Sequence, residues 1–322
     1  MNLRVGLSAV IVAAVGNVPH VLATRGTGPL GLDGLPFGPF NPEGHRTFEI
    51  GLRDWVTAQT GFDLGYVEQL YTFGDRGREL PTARLDDTSP QSRIISVGYL
   101  ALTPEATEIG GAFDAVWRDW YRYFPWEDHR DGPPAEVLNT LSDLLEAWSE
   151  TAGTSNEKID RWTRSSLAFG LGDKAWVEER VLERYELLYE ARIVPESWRD
   201  AGKSSPHDLS ERITGAQMRS DHRRILATGM SRLRGKIKYR PVVFEIMPET
   251  FTLSALQETV EGLLGIRLHK QNFRRALDKT NFVEGTGQME TATGGRPAEL
   301  FRFRREILAE KAALGVQTPR RR

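Results

Sequence analysis

The period of apolar and polar positions changes several times along this chain, and each change marks an element. From Arg4 to Thr24, β-branched and small apolar residues run on with one break at Gly16-Asn17, which predicts two strands joined by a tight turn. The next stretch, RGTGPLGLDGLPFGPFNPEG, is so dense in Gly and Pro that it reads as a loop able to lie across a pocket. Phe48, Leu52, Trp55 and Val56 then recur at helical spacing up to Gly61, a glycine C-cap. YVEQLYTFGD reads as a strand, RGRELPTARLDDTSPQS as a polar loop, and RIISVGYLALTP as the strongest strand of the chain. After Pro104 the texture turns helical and aromatic, with Phe113 to Phe124 placed over the end of a sheet. Pro133-Pro134 open a helix, AEVLNTLSDLLEAWSE, and further helices are expected at about Asn156 to Ala168 and Lys174 to Ala191. IVPESWRDAGKSSPHDLSERITGAQMRS reads as a linker or irregular excursion, after which DHRRILATGMSRLRGK resumes a helix. No internal repeat is visible.

Tyr239 to Arg305 has the order of a winged helix-turn-helix. YRPVVFEIMP predicts a strand from Tyr239 to Met247 that Pro248 stops. Thr252 then caps a helix carrying Leu253, Leu256, Val260, Leu263 and Leu264, which Gly265 closes. A short turn leads to HKQNFRRALDKT, where Phe273 and Leu277 face inward and the amides and cations are left mostly in solvent. NFVEGTG and RPAELFRFR, joined through QMETATGG, form the hairpin of a wing. A basic helix alone is usually a solvated face; the order of the elements makes this one a groove reader. Base contacts are expected from Gln271, Asn272, Arg274 and Arg275, and phosphate or minor-groove contacts from Lys270, Lys279 and Arg296.

The 322 residues exceed a typical single domain, and the texture divides them into residues 1–132, a helical segment 133–220, and a C-terminal module 221–322. The absence of cysteine excludes disulfides, thiolate metal sites and cysteine nucleophiles, and fits the cytoplasm. The apolar N-terminus carries an arginine and turns back at Gly16-Asn17, so it reads as a hairpin and not a secretory signal; no run is long enough for a membrane helix. The formal net charge of −2 hides a division. From Arg219 to Arg322 there are 21 Lys+Arg against 11 Asp+Glu, leaving 21 basic and 33 acidic residues upstream. A basic module on an acidic partner, ending in an arginine tail, is what one DNA-touching domain produces.

YVEQLYTFGDRGRE, RIISVGYLALTP, FPWED and the run from Asp221 through the wing together resemble the Nudix-related transcriptional regulators, most closely the NadQ-type repressors of NAD biosynthesis. The resemblance covers nearly the whole chain. It implies an α+β fold: a degenerate Nudix-like mixed sheet with helices, then the helical segment and the C-terminal winged helix-turn-helix. A hydrolytic Nudix box, Gly-x5-Glu-x7-Arg-Glu-U-x-Glu-Glu-x-Gly-U, holds Mg²⁺ through its acidic cluster. Anchored on Gly61 and Phe62, its Arg-Glu falls on Asp54 and Trp55, its Glu-Glu on Ala58 and Gln59, its first Glu on Arg46 and its first Gly on Phe40. Slipping the frame to recover Arg53-Asp54 leaves Thr57 and Ala58 at the metal positions.

The expectation is therefore a shell that binds without hydrolysing, and no enzyme. What the resemblance implies is an effector related to NAD metabolism, namely ADP-ribose, NAD or ATP, and a homodimeric repressor on palindromic double-stranded operator DNA. Candidate effector residues are Arg25, Arg46, Arg78 and Arg93 for phosphates, Phe37 and Phe73 for stacking, and Asp75 for a hydroxyl or amino group. His45, His129 and His222 lack ligand-like spacing, so no metal is assigned. The alternative is an active Nudix pyrophosphohydrolase using a displaced Glu43, Glu49 or Asp54.

Overall fold

A computed structural model describes residues 3–26, 31–61, 63–74, 93–104, 115–205, 209–290 and 297–306. Strand β1 (Leu3–Val15) is the axis of a mixed sheet. It turns at Gly16 and Asn17, both at positive φ (55° and 65°), into β2 (Val18–Thr24), as a two-residue hairpin matched to strand twist requires. The Gly/Pro stretch contains a short strand the sequence did not announce, β3 (Phe37–Pro39), antiparallel to the first half of β1. Helix α1 (Phe48–Thr60) has the side chain of Thr47 as its N-cap and Gly61 at φ 70° as its C-cap. Strands β4 (Tyr66–Phe73) and β5 (Arg93–Leu102) pair antiparallel, and β5 runs parallel to β1 from Leu3↔Arg93 to Val12↔Leu102. The far edge is β6 (Ala115–Asp119), a strand against β2 where a helical texture was expected. The sheet order is β4-β5-β1-β2-β6.

β1 is buried continuously from Leu7 to Ala13 because both faces of the sheet are covered. Leu52 and Val56 of α1 pack on Leu7, Ala9, Ile11, Val97 and Tyr99. The opposite face carries Val10, Val12, Leu100 and Leu102. Beyond the sheet come α2 (Ala135–Glu150), α3 (Ser155–Phe169), α4 (Val181–Glu190), α5 (Pro195–Arg199) and α6 (Glu211–Thr214). Helix α7 (His222–Ile237) lies between α4 and the sheet and is buried nearly all round. Gly229 lets it approach the sheet: a Cβ there would sit 2.9 Å from Val10 Cγ1. This helix was read from sequence as part of the C-terminal module, yet it packs on β1, β4 and β5.

Of the stretch from 193 to 220, expected as a linker or irregular excursion, Ile193, Val194, Glu196, Ser197, Ile213, Thr214, Ala216 and Met218 are built into the core, while 201–205 are exposed. Its charges made it look exposed, but Glu196 and Arg199 are bonded within the fold. Glu196 takes both oxygens to buried Arg223 (3.3 and 3.1 Å), and Arg199 donates to the carbonyls of Met218 and Ser220 at 2.8 and 2.6 Å. Helix α4 starts at Val181, later than the pattern suggested.

In the C-terminal module the run Tyr239 to Met247 is not a strand. Val242–Glu245 forms a 3₁₀ turn, and the strand is β7 (Thr250–Thr252). Val242, Val243, Phe244, Ile246 and Met247 are all buried, and an apolar run without alternation fits any fully buried segment. Phe244 stacks on Phe303 with centroids 4.2 Å apart. Helix α8 (Leu253–Leu264) is capped by Thr252, whose side chain accepts from Ala255 N, and closes on Gly265 at φ 74°. Helix α9 (Lys270–Thr280) leads to β8 (Val283–Glu290) and β9 (Ala298–Phe303), in a sheet ordered β7-β9-β8.

A buried charge cluster fixes α8 to the rest. Glu127 and both of its arginine partners are fully buried. Glu127 accepts from Arg184 Nε at 2.6 Å and Nη2 at 2.8 Å, and from Arg234 Nη1 at 2.5 Å. Arg234 Nε also donates to Leu263 O at 2.9 Å, Tyr121 OH to Gly262 O at 2.6 Å, and His129 N to Gly265 O at 2.7 Å. The last carbonyls of α8, which no helix can satisfy internally, are thus satisfied by groups of the sheet unit, with a cation at the negative helix end. On the same helix, Gly262 meets the β1–β2 turn: a Cβ there would lie 2.5 Å from Asn17 O. Among the described residues no helix is long and apolar enough to cross a membrane.

Candidate functional site

Toward the N-terminal end of β1, the sheet face shared with α7 is floored by small residues. Ser8 and Ser96 meet through their hydroxyls at 2.7 Å, and Gly6 and Gly98 flank them on neighbouring strands. Two rings lie on this floor. A Cβ on Gly6 would sit 2.6 Å from the Phe37 ring, and one on Gly98 would sit 2.9 Å from the Phe73 ring, so glycine is what admits each aromatic. Both rings are half-buried. His222, at the start of α7, has its ring 5.8 Å from Phe37, and its Nδ1 accepts from Leu35 N at 2.9 Å. Arg219, one turn earlier, donates through Nη2 to Thr24 Oγ1 at 2.5 Å.

Phe37 and Phe73 are thus on one side of one sheet. Arg25 is exposed just after β2. Arg46 is exposed immediately before the α1 N-cap, which puts it on the face opposite Phe73, so the structure does not group it with the two rings. Asp75 and Arg78 lie outside the described residues, as does the side chain of Arg93, whose backbone opens β5 opposite Leu3. Sequence reading passed over Thr24, and Arg219 because it fell in the supposed linker.

Along α1 the positions of the Nudix box are occupied by other work. Gln59 clamps the backbone of Phe37, its Oε1 accepting from Phe37 N at 3.1 Å and its Nε2 donating to Phe37 O at 2.6 Å. Trp55 Nε1 donates to Pro39 O at 2.7 Å. Ala58 and Asp54 point to solvent, Asp54 lying 3.6 Å from His45 Nε2, and Glu49 is held by Arg53 at 2.8 Å. Among the described residues no three His, Asp or Glu side chains converge. Two of the box's acidic positions are taken by an amide and an indole that tie β3 down, so these residues do not fit a divalent cation, which needs several carboxylate oxygens.

On α9, Leu277 is buried and Phe273 half-buried, which sets the inward face. Gln271, Arg275 and Lys279, four residues apart, form the outward stripe, with Lys270 and Asn272 exposed beside it. Arg274 departs from expectation. It precedes Leu277 by three positions, is half-buried, and its Nε is buried with no acceptor, so it flanks the module's body and does not share the outward stripe. Arg296 lies outside the described residues. In the wing, Arg302 and Arg304 are neutralised by Glu284 at 2.6 and 3.7 Å. The charge division also shifts: seven of the 21 basic residues counted from Arg219 precede Tyr239, with one acid, and Arg223 and Arg234 among them are buried. From Tyr239 onward 14 bases face 10 acids, so the positive surface is α9 itself and not the module as a whole.

Residues 243–303 match the family model of the NrtR DNA-binding winged helix domain. The C-terminal module is an NrtR-type winged helix. Over 122 residues the chain is 36% identical to the ADPR responsive transcriptional repressor NtrR of Acinetobacter baylyi, which covers 36% of this chain and 48% of the relative. The chain therefore spans about half the length of that curated relative. Its fold is that of Shewanella oneidensis NrtR, solved with a 27mer DNA, at a TM-score of 0.53, 20% identity and 93% coverage of both chains. A MutT/nudix family protein from Enterococcus faecalis matches at a TM-score of 0.53 and 16% identity, over 94% of this chain and 89% of that one. The chain thus joins an α+β sheet unit of Nudix-like fold to a winged helix.

Proposed function

We propose that this NrtR-like protein is a DNA-binding transcriptional repressor whose Nudix-like unit binds ADP-ribose without cleaving it. The observation that carries the reading is the exposed Gln271–Arg275–Lys279 stripe, held on a domain that matches the NrtR DNA-binding family. The A. baylyi relative, an ADP-ribose-responsive repressor by name, supports ADP-ribose over NAD or ATP as the effector. Occupation of the Nudix-box positions by Gln59 and Trp55 supports binding without hydrolysis. We assign residues 1–238 to the effector-sensing unit, the helical segment 133–220 included, and the rest to the winged helix, placing the boundary after α7. Two copies on a palindromic operator, upstream of genes of NAD biosynthesis, complete the proposal; effector acts by its different affinity for the two arrangements of the modules.

The test has two arms. Full-length protein incubated with Mg²⁺ and ADP-ribose is expected to leave the nucleotide intact by chromatography, whereas turnover at ordinary enzyme rates contradicts the reading. Titration with ADP-ribose, NAD and ATP by calorimetry is expected to show tightest binding of ADP-ribose.

On DNA, Lys279 is expected to serve a phosphate. Lys279→Ala should weaken binding to operator and random duplex about equally and lower the slope of log K against log salt by about one. An unchanged slope in anisotropy titrations across a salt series reassigns the residue.

A further inference from the structure

Near the Phe37–His222 pair the structure holds a cation that makes no ion pair among the described residues. Arg219 is half-buried, and no carboxylate lies within ion-pair distance among the described residues. The nearest acid, Asp33, is already engaged by Arg118 Nε at 2.9 Å and by Tyr123 OH at 3.1 Å. Arg219 is nevertheless held in place. Its backbone N donates to Asp33 O at 2.9 Å, its Nη2 donates to Thr24 Oγ1 at 2.5 Å, and Gly34 makes room, since a Cβ there would lie 2.6 Å from Nε and Nη2. Thr24 Oγ1 in turn donates to Gly34 O at 3.2 Å. Among the described residues, Nε is buried without an acceptor and no hydrogen bond is made by Nη1. Burial pulls the guanidinium below its ordinary range, with Asp33 opposing only in part. A cation fixed by a hydroxyl and a glycine, with donors unspent and no counter-ion, is an arrangement that an incoming oxyanion completes. The adjacent N-terminus of α7 adds its partial positive charge.

We propose that Arg219, positioned by Thr24, receives a phosphate oxygen of the effector's diphosphate. This rests on the ADP-ribose reading above, and it assigns a phosphate contact to a residue outside the arginines the sequence suggested. A ring at Phe37 and a cation at Arg219 are together suited to a nucleoside diphosphate derivative: aromatic surface for one part, charge for the other.

The test uses the full-length chain and calorimetric titration of ADP-ribose, with inorganic pyrophosphate as competitor. Arg219→Gln is expected to weaken ADP-ribose binding at least tenfold and to reduce the competing strength of pyrophosphate in parallel; Arg219→Lys should recover part of both. Thr24→Val, which removes the hydroxyl but keeps a β-branched strand residue, should give a smaller loss in the same direction, and it carries the test if Arg219→Gln shows no cooperative melting transition. Unchanged ADP-ribose affinity in Arg219→Gln, or in Thr24→Val where that variant carries the test, overturns the inference while leaving the proposed function standing. A loss for ADP-ribose with pyrophosphate competition unaltered also overturns it. Failure of the unaltered protein to bind ADP-ribose removes both.

Discussion

Replacing Glu127 by Gln is expected to cost at least about 3–5 kcal/mol of stability, the range for removing one partner of a buried ion pair. Here a single carboxylate serves two guanidinium groups, so its loss leaves both Arg184 and Arg234 charged in the interior. Arg234 also holds the last turn of α8 through Leu263 O, so the variant should loosen the winged helix from the sheet unit as well. Urea denaturation read by tryptophan fluorescence checks the first effect; a midpoint equal to that of the unaltered protein contradicts it. The cluster also sets a pH dependence. Burial alone would raise the Glu127 pKa, but Arg184 and Arg234 outweigh it and hold the carboxyl below its ordinary value. A carboxyl depressed in the folded state contributes stability that is present above the unfolded pKa, about 4.3, and is lost as pH falls through the folded value. Below about pH 4 the difference in stability between unaltered protein and Glu127→Gln should therefore shrink.

Arg275→Ala is expected to cost about 1–3 kcal/mol on operator DNA and little on random duplex. The reasoning is geometric. Arg275 lies in the middle of the outward stripe of α9, four residues from both Gln271 and Lys279, exposed and without an acidic partner among the described residues, so its guanidinium is available to a guanine edge. A gel-shift titration with both duplexes separates the roles: equal loss on both assigns Arg275 to the backbone.

What the sequence made legible was local. Gly16-Asn17, Gly61, Thr252 and Gly265 announce turns and caps because their chemistry acts within a few residues, and each is found in the expected place. The run around Phe244 was misread because a segment buried on every side has no period to betray its conformation. Glu127, Arg184 and Arg234 were invisible for another reason. Their partners lie 57 and 107 positions away, and charged residues are ordinarily solvated, so nothing local marks them as core. In the site, Phe37 and Phe73 were chosen by residue type, and the shared face of Gly6 and Gly98 brings them to one side. The position of Arg46 depended on which face α1 would cover, and Arg219 on recognising that its stretch is core; neither follows from spacing. The Nudix frame did locate Gln59, although its function as a clamp on Phe37 needed the fold.

Binding of ADP-ribose and of duplex DNA must be coupled if the sheet unit controls the winged helix through α8, and coupling is reciprocal. The most direct measurement is therefore the affinity of the full-length protein for a promoter duplex with and without saturating ADP-ribose, alongside its affinity for ADP-ribose with and without the duplex. The account predicts that each ligand changes the other's affinity by the same factor, about fivefold or more, with ADP-ribose recovered intact. Equal duplex affinity in both conditions, or ADP-ribose consumed during the titration, contradicts it.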